Sequence, residues 1–395
     1  MDDAIPPTTP PPPAYAPPPP VIVPPAAPRP SKRGRGWMIF AIVVVILLGL
    51  SVLVNFCLFA GSIVHGSRGA VAVNNSHYVG PRLEEAVLED NGAANKIVVI
   101  DVDGVITSSP LNQQGYSMVD IIKAQLDRAQ DDRRVKAVIL KVDSPGGEVL
   151  ASDDISDAIK NFQDGKKSNG QDQDQNKAKP VIVSMGNLAA SGGYYISAPC
   201  RYIVANKMTL TGSIGVIMHG YNYRALMDKV GIAPEVYKSG KFKDMLSGSR
   251  EPGEIPPEER AMVQGLINEV YGDFKQVVAE GREAAHQKNQ DDGRALADNW
   301  ADYADGRVLS GTEALKLGFV DQLGNFQTAV ASAEKIAKIS DANLIRYDQR
   351  YDLSDFFHMF GESKSDAKSI KIDLGFDAPR LQEGRLYFLS PVLSH

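Results

Sequence analysis

The chain has 395 residues, enough for one large domain or two ordinary ones with appended segments. Its composition, 43% hydrophobic and 23% charged, is typical of a globular protein. The formal net charge of -6 provides no basic field for a nucleic-acid backbone, which excludes nucleic acid as the expected partner. Two cysteines are too few for a disulfide framework and neither is spaced for zinc, so no metal or other cofactor is expected.

The first 64 residues predict a tail followed by a membrane anchor. Residues 1–36 are rich in proline, which favours an extended, solvated polyproline II tail. Residues 37–64 are apolar and uncharged, and are long enough to cross a bilayer as a helix. The competing interpretation is a cleaved signal peptide, which normally has a shorter apolar region behind a short basic start.

The charges around this apolar run predict its orientation. Only Arg68 follows the run closely, whereas four basic residues precede it: Arg29, Lys32, Arg33 and Arg35. Loops rich in lysine and arginine stay on the cytoplasmic side. We therefore expect a single-pass protein of the cytoplasmic membrane, with its N-terminus in the cytoplasm and the remainder outside.

Beyond a linker at 65–95, the region 96–345 alternates between two periodicities. Runs rich in β-branched residues predict buried strands, at 96–101, 135–142 and 181–185. Amphipathic stretches between them predict helices at 118–129 and 151–162, and a further long helix is predicted at 257–285. This alternation predicts an α/β fold whose parallel strands are covered by helices on both faces. Residues 164–179 read as a polar surface insertion, and residues 346–395 as a C-terminal tail.

The segment 185–199 contains the strongest candidate nucleophile, Ser191. Small residues lead from the end of a predicted strand to Ser191 at the start of a predicted helix. Gly192 and Gly193 allow another backbone or a substrate to approach closely. Amides in the first turn of a helix lack intrahelical partners and favour developing negative charge. From this segment alone, Ser191 is equally well interpreted as a helix cap.

A second motif, Asp143-Ser-Pro-Gly-Gly147, follows the predicted strand at 135–142. Such a turn presents backbone amides at the carboxyl edge of the sheet, where open α/β folds bind ligands. One of these amides and the amide after the nucleophile can together form an oxyanion hole. Taken alone the motif predicts only a turn. It indicates an oxyanion hole only in combination with the Ser191 segment.

The general base is less clear from the residues. A catalytic serine needs a neighbouring group that removes its proton. The candidates downstream are His219 and a group of lysines, Lys238, Lys241 and Lys243. Histidine is the commoner base, and a lysine serves only where burial keeps its amine uncharged. Spacing alone does not decide between them.

Read together, four segments resemble the signal peptide peptidase A family, the serine peptidases of family S49. They are DSPGG at 143–147, GNLAASGGYYISAP at 186–199, TGSIGV at 211–216 and KSGKFKD at 238–244. The similarity runs from about residue 98 to residue 337 and contains one copy of the catalytic module, as in the short bacterial form. Gly248 departs from the pattern, since the family often has a proline there.

The resemblance implies a fold and a dyad. The fold would be a ClpP/crotonase-like spiral of βαβ units that assembles into homo-oligomeric rings. The dyad would consist of Ser191 and Lys243, either within one subunit or across a subunit boundary, with Ser213 holding the lysine amine by a hydrogen bond.

The resemblance also implies the oxyanion hole and the activity. Gly147 and Gly192 would donate their amides to the oxyanion, with Gly146 as an alternative donor. The expected function is a membrane-anchored serine endopeptidase at the outer face of the cytoplasmic membrane. Its expected substrates are cleaved signal peptides and, as a second class, mislocalised proteins.

Other interpretations remain at this stage. His219 could be the base in place of Lys243, or the ring could be a non-catalytic membrane scaffold. A crotonase-like acyl-CoA enzyme would share the fold, but it has no need of a Ser-Lys pair. The apolar ending at 386–391 resembles a substrate, which suggests that it occupies a cleft in its own or a neighbouring subunit.

Overall fold

The computed structural model describes residues 39–51, 80–110, 115–170, 174, 177–349 and 386–389. The chain divides into two compact units, Met1–Tyr78 and Val79–His395. In the first unit, residues 39–51 form helix α1. They belong to the predicted anchor at 37–64, whose other residues lie outside the described part. Across the described residues, no helix is both long enough and apolar enough to span a bilayer.

The second unit is a mixed α/β structure. Nine of its described strands share one sheet: β1 (Leu83–Glu89), β2 (Lys96–Asp103), β3 (Val135–Ser144), β5 (Val181–Ala190), β6 (Tyr202–Ala205), β7 (Leu210–Gly212), β8 (Val308–Ser310), β9 (Gln322–Leu323) and β10 (Asn343–Gln349). A small separate sheet contains β4 (Gly146–Glu148) and β11 (Tyr387–Leu389). The helices are α2 (Met118–Asp131), α3 (Val149–Gln163), α4 (Gly192–Ser197), α5 (Arg224–Lys229), α6 (Pro257–Asn289), α7 (Gly311–Lys316) and α8 (Phe326–Ala337).

The main sheet has the order β1-β10-β2-β3-β5-β6-β9, and its central neighbours from β10 to β9 are parallel. Apolar side chains project from both faces of this sheet. Ile97, Ile139 and Ile182 pack under α8 on one face. The larger core on the other face is closed by α2, α3, α4 and α6. Full burial of each isoleucine contributes about 1.5–3 kcal/mol. The α/β prediction is confirmed, whereas the spiral arrangement stays a prediction.

Several elements run past their predicted ends. Strand β5 continues beyond residue 185 to Ala190, directly before Ser191. Strand β10 extends past the expected domain end at 345 to Gln349, pairing with both β1 and β2.

In the insertion at 164–179, Ser168 donates from its amide and hydroxyl to the Asp127 carboxylate, at 2.7 and 2.9 Å. This part of the insertion is therefore tied to α2.

A buried ion pair attaches the long helix α6 to the sheet. Arg282 and Asp321 are both fully buried, with 2.6 Å between Nη2 and Oδ1. The other Asp321 oxygen accepts the backbone amide of Ile203 in β6 at 2.8 Å. Removing one partner of such a pair costs about 3–5 kcal/mol, because the other charge stays buried. The pair holds the C-terminal third of α6 beside α4, which begins directly after the candidate nucleophile.

Candidate active site

Ser191 lies at the junction between β5 and α4 in a conformation that is rare for a residue with a side chain. Its φ is +55° and its ψ is -118°. Its amide donates to Gly212 O at 2.8 Å, which fixes the junction to β7. Non-glycine residues persist in such regions only where the surroundings hold them, and these positions cluster at active sites.

The Ser191 hydroxyl has an unusual environment. The residue is 1% exposed, and its Oγ has no hydrogen-bond partner within the described part of the chain. A buried hydroxyl without a partner is uncommon because it forfeits about 1–3 kcal/mol. The helix-cap alternative requires that this side chain bond an amide of α4, and it makes no such cap.

Three glycines pack around Ser191 so closely that no side chain would fit. Gly146 has φ +100°, and a Cβ there would lie 2.6 Å from the Gly192 amide nitrogen. A Cβ on Gly192 would come within 3.0 Å of the Gly147 amide nitrogen. A Cβ on Gly147 would lie 1.9 Å from Ile106 O. The sequence motifs at 143–147 and 186–199 therefore meet, and they bring backbone amides together beside Ser191.

The bonding of these amides separates the candidate oxyanion donors. The Gly146 amide already donates to Ser144 Oγ at 3.1 Å. Gly192 is the first residue of α4, so its amide has no intrahelical acceptor. Gly147 is the central residue of β4 and faces β11. This arrangement favours Gly147 and Gly192 over Gly146.

Ser213 also lies beside the nucleophile. Strands β5 and β7 run parallel with Ala190 opposite Gly212, so Ser191 and Ser213 both follow directly paired residues. Ser213 is 3% exposed and has φ +51°, and its amide donates to Arg307 O at 2.7 Å. The two serines thus follow adjacent strand ends, and both have a positive φ.

Within the described part of the chain, the Ser191 hydroxyl makes no hydrogen bond to Lys243. Lys243 lies in a turn between α5 and α6 (residues 238–250, the Lys243 turn), and its amide donates to Gly240 O at 3.2 Å. Its side chain is exposed to solvent, while the Ser191 hydroxyl is buried without a partner among the described residues. The alternative base, His219, is exposed as well. The predicted dyad therefore stays a prediction.

The C-terminal strand β11 lies across the glycines. Its residues pair antiparallel with β4, with Phe388 opposite Gly147 and Leu389 opposite Gly146. On its other side, Tyr387 exchanges both backbone hydrogen bonds with Ile217, each at 3.1 Å. The segment is thus held between two backbones, as an extended peptide would be. The hypothesis that residues 386–391 occupy a cleft is confirmed for residues 386–389, which lie in the cleft of their own chain. Residues 390–391 lie outside the described residues.

The position of Phe388 relates this strand to the candidate chemistry. Its carbonyl oxygen lies 2.0 Å from the point where a Gly146 Cβ would be, a point 2.6 Å from the Gly192 amide nitrogen. Its ring stacks on Tyr195 with 4.8 Å between centroids and packs on Phe274 at 4.7 Å. Tyr195 is fixed by a 2.7 Å hydrogen bond from its hydroxyl to Asp153, and burial raises its pKa. A peptide carbonyl therefore already lies among the glycine amides.

Sequence reasoning missed one polar residue of the cleft, Glu148. It is 8% exposed and accepts from the Ser108 amide at 3.1 Å and the Ser108 hydroxyl at 2.5 Å. Thr107 Oγ1 donates to its other oxygen at 3.3 Å. Ile106, next to these residues, bonds Gly146 O through its amide and the Glu148 amide through its carbonyl, each at 2.9 Å. Glu148 thus connects residues 106–108 to the turn that contains Gly146 and Gly147. Its position directly after DSPGG is the sequence feature that could have identified it.

We predict that Glu148→Ala lowers kcat for peptide hydrolysis by about tenfold or more, because small displacements of catalytic groups are costly. Glu148→Gln keeps the side-chain volume and one carbonyl acceptor, so it should retain most of the rate. Steady-state kinetics of the two purified variants beside wild type measure the difference. An unchanged kcat in the alanine variant would show that the glycine turn does not need this support.

Among the residues that the structure describes, no group of three or more His, Cys, Asp and Glu side chains is arranged to hold a metal ion. The arrangement supports acyl transfer, with a buried hydroxyl, adjacent backbone amides and a strand-binding groove.

Comparison with known proteins gives consistent similarities. The profile of Peptidase family S49 matches residues 173–340. A protein of Enterococcus faecium described as a signal peptide peptidase SppA is 36% identical over 279 residues, covering 70% of this chain and 73% of that protein. A Synechocystis protein described as a protease is 37% identical over 242 residues, 61% of this chain and 74% of its own length. Protease 4 of Haemophilus influenzae is 34% identical over 249 residues, covering 63% of this chain but only 36% of Protease 4.

Proposed function

The chain belongs to peptidase family S49 and is a serine peptidase, and we propose that it is a membrane-anchored signal peptide peptidase with a Ser191–Lys243 dyad. The observation that carries the proposal is the Ser191 hydroxyl, which is buried without a hydrogen-bond partner among the described residues, at a strand-to-helix junction with positive φ. Ser191 lies beside the backbone amides of Gly146, Gly147 and Gly192, and the chain's own strand β11 pairs with this glycine segment.

In this mechanism the substrate adds as a strand to β4, in the position that β11 takes. Uncharged Lys243 accepts the proton of Ser191 as the hydroxyl attacks the scissile carbonyl. The amides of Gly147 and Gly192 stabilise the oxyanion, and each such donor is worth about 3–4 kcal/mol of barrier. The lysine then protonates the leaving amine, and water hydrolyses the acyl-enzyme.

We place the completed dyad at the boundary between two copies of the chain in a homo-oligomeric ring. The segment from Tyr221 to Tyr237 exposes a series of large apolar side chains, with Tyr237 at 92% and Tyr221 at 73% exposure. The others exposed by half or more are Leu226, Val230, Ile232 and Val236. Apolar surface of this kind marks a protein contact. A second copy covering it would bring a Lys243 turn to a neighbouring Ser191.

The membrane anchor belongs to the same proposal. The uncharged run at 37–64, with basic residues before it, supports a single-pass protein whose peptidase unit lies outside the cytoplasm. Such a protease lies beside the apolar remnants that signal peptidase leaves in the membrane. These remnants are the proposed substrates, with mislocalised proteins as a second class.

Mass spectrometry of peptide products tests the proposal. Full-length protein in detergent is incubated with a synthetic signal peptide, beside Ser191→Ala, Lys243→Ala and His219→Ala. We expect wild type and His219→Ala to produce the same fragments, and both dyad variants to lose turnover by about 10²-fold or more. Loss of turnover in His219→Ala alone would move the base to the histidine. Absence of turnover in all four would favour the scaffold.

A further inference from the structure

A network of charged side chains lies beneath the Lys243 turn. Asp244, the residue after Lys243, accepts the Lys238 ammonium on both carboxylate oxygens at 2.8 Å, which lowers the pKa of that carboxyl. Arg250 Nη1 lies 3.6 Å from Asp244 Oδ1. Arg250 Nη2 also lies 2.5 Å from each carboxylate oxygen of Glu259, in the first turn of α6. Charges of alternating sign thus connect the neighbour of Lys243 to a long helix.

The inner part of this network is withdrawn from water. The side chains of Arg250 and Glu259 are 11% and 3% exposed. Charge pairs at such depth are screened less by solvent than surface pairs are, so they hold a more definite geometry. The salt bridge between Lys241 and Glu258, next to the network, is different, since both side chains are more than 60% exposed.

Glu259 also holds the backbone of the turn. Its Oε1 accepts the amide of Leu246 at 3.2 Å. Leu246 has φ +67°, a conformation that a branched side chain adopts only where its surroundings impose it. At the far end of the turn, the Gly248 carbonyl accepts the Tyr223 amide at 2.9 Å. A Cβ on Gly248 would lie 2.0 Å from Tyr221 O, so the glycine at this departure from the family pattern permits a close backbone contact.

These contacts matter because Lys243 itself is exposed and lies in neither a strand nor a helix. The path of its backbone is therefore set by the residues on either side of it. A general base has to reach the serine hydroxyl within hydrogen-bonding distance, and a misplacement of about 1 Å can cost about 10²-fold in rate. Without a fixed turn, the lysine would spend most of its time away from that geometry.

We propose that Arg250 and Glu259 are positioning residues that pre-organise the Lys243 turn, so that the lysine is presented to Ser191 in one orientation. This inference rests on the proposed function of Lys243 as the general base. The two residues touch neither substrate nor the reacting atoms, and they act only through the turn that they hold.

Kinetics of purified full-length Arg250→Met test the inference. We expect kcat for peptide hydrolysis to fall by about 10²-fold with a nearly unchanged KM, because binding at β4 does not involve the turn. Arg250→Lys keeps the charge but has a single nitrogen, so it cannot reach both Glu259 and Asp244 as the two guanidinium nitrogens do, and it should keep only part of the rate. Glu259→Gln removes the charge with little change of shape and should resemble Arg250→Met. The matched control is Arg346→Met, which removes the same side chain from a half-exposed ion pair with Asp348 in β10.

A double variant separates positioning from general damage. In a Lys243→Ala chain, adding Arg250→Met should leave the residual rate unchanged, since the turn then carries no base. A further loss of similar size, or a kcat in Arg250→Met and Glu259→Gln close to that of wild type, would overturn the inference. If Lys243→Ala itself keeps the wild-type rate, the proposed function has failed instead.

Discussion

Mixed oligomers of Ser191→Ala and Lys243→Ala chains are expected to recover peptidase activity that neither variant has alone. Each variant by itself lacks one member of every dyad and should lose about 10²–10⁴-fold in turnover. In a ring whose sites lie between subunits, random mixing in equal amounts should restore about one quarter of the sites. Such a site takes Ser191 from one kind of chain and Lys243 from the other.

The measurement is the initial rate of peptide hydrolysis after co-expression of two differently tagged chains and purification on both tags. The control replaces Lys243→Ala by the double variant Ser191→Ala/Lys243→Ala, which supplies no intact serine and should give no recovery. Purified mixed oligomers without recovered activity would show that the dyad does not close between subunits. The reason to expect recovery is that a single chain leaves the Ser191 hydroxyl buried without a partner among its described residues while Lys243 is exposed.

Removal of residues 386–395 is expected to lower KM for peptide substrates by about tenfold or more, because a tethered competitor acts at an effective concentration near the millimolar range. Strand β11 takes the position proposed for substrate, paired with β4 and with the Phe388 carbonyl among the glycine amides. With the segment removed, an added peptide no longer has to displace it.

The matched control is a shorter truncation that removes only residues 390–395 and keeps β11. It should behave as wild type if the strand is the competitor. The longer truncation also uncovers Tyr195 and Phe274, so its thermal unfolding has to be measured beside the kinetics. A fall in both activity and stability, with KM unchanged, would assign the segment to the structural core instead.

Much of the fold could be predicted because local residue patterns specify local structure. Strands β2, β3 and β5 and helices α2, α3 and α6 were found at their predicted places, with ends shifted by a few residues. The shift that matters is in β5, which was predicted to end near residue 185. It continues through small residues to Ala190 because pairing with β7 supplies hydrogen bonds that a single segment does not reveal.

The site was predicted in its parts but not in its connections. Ser191 and the glycine motifs could be identified because small residues at strand ends permit close backbone approach. Arg250 and Glu259 could not, because a single charged residue in a sequence is most simply interpreted as a solvated surface residue. Their roles depend on which distant groups the guanidinium and the carboxylate meet.

The sequence by itself determined the α/β character, the identity of the nucleophile candidate and the apolar run before the peptidase unit, since these depend on periodicity and residue type along contiguous stretches. Only the tertiary structure decided three contacts. The Gly146 amide donates to Ser144 Oγ, Ser213 lies next to Ser191, and the chain's own strand β11 lies in the cleft. The last two are contacts between segments far apart along the chain. Their meeting depends on strand order and register, which no local pattern encodes.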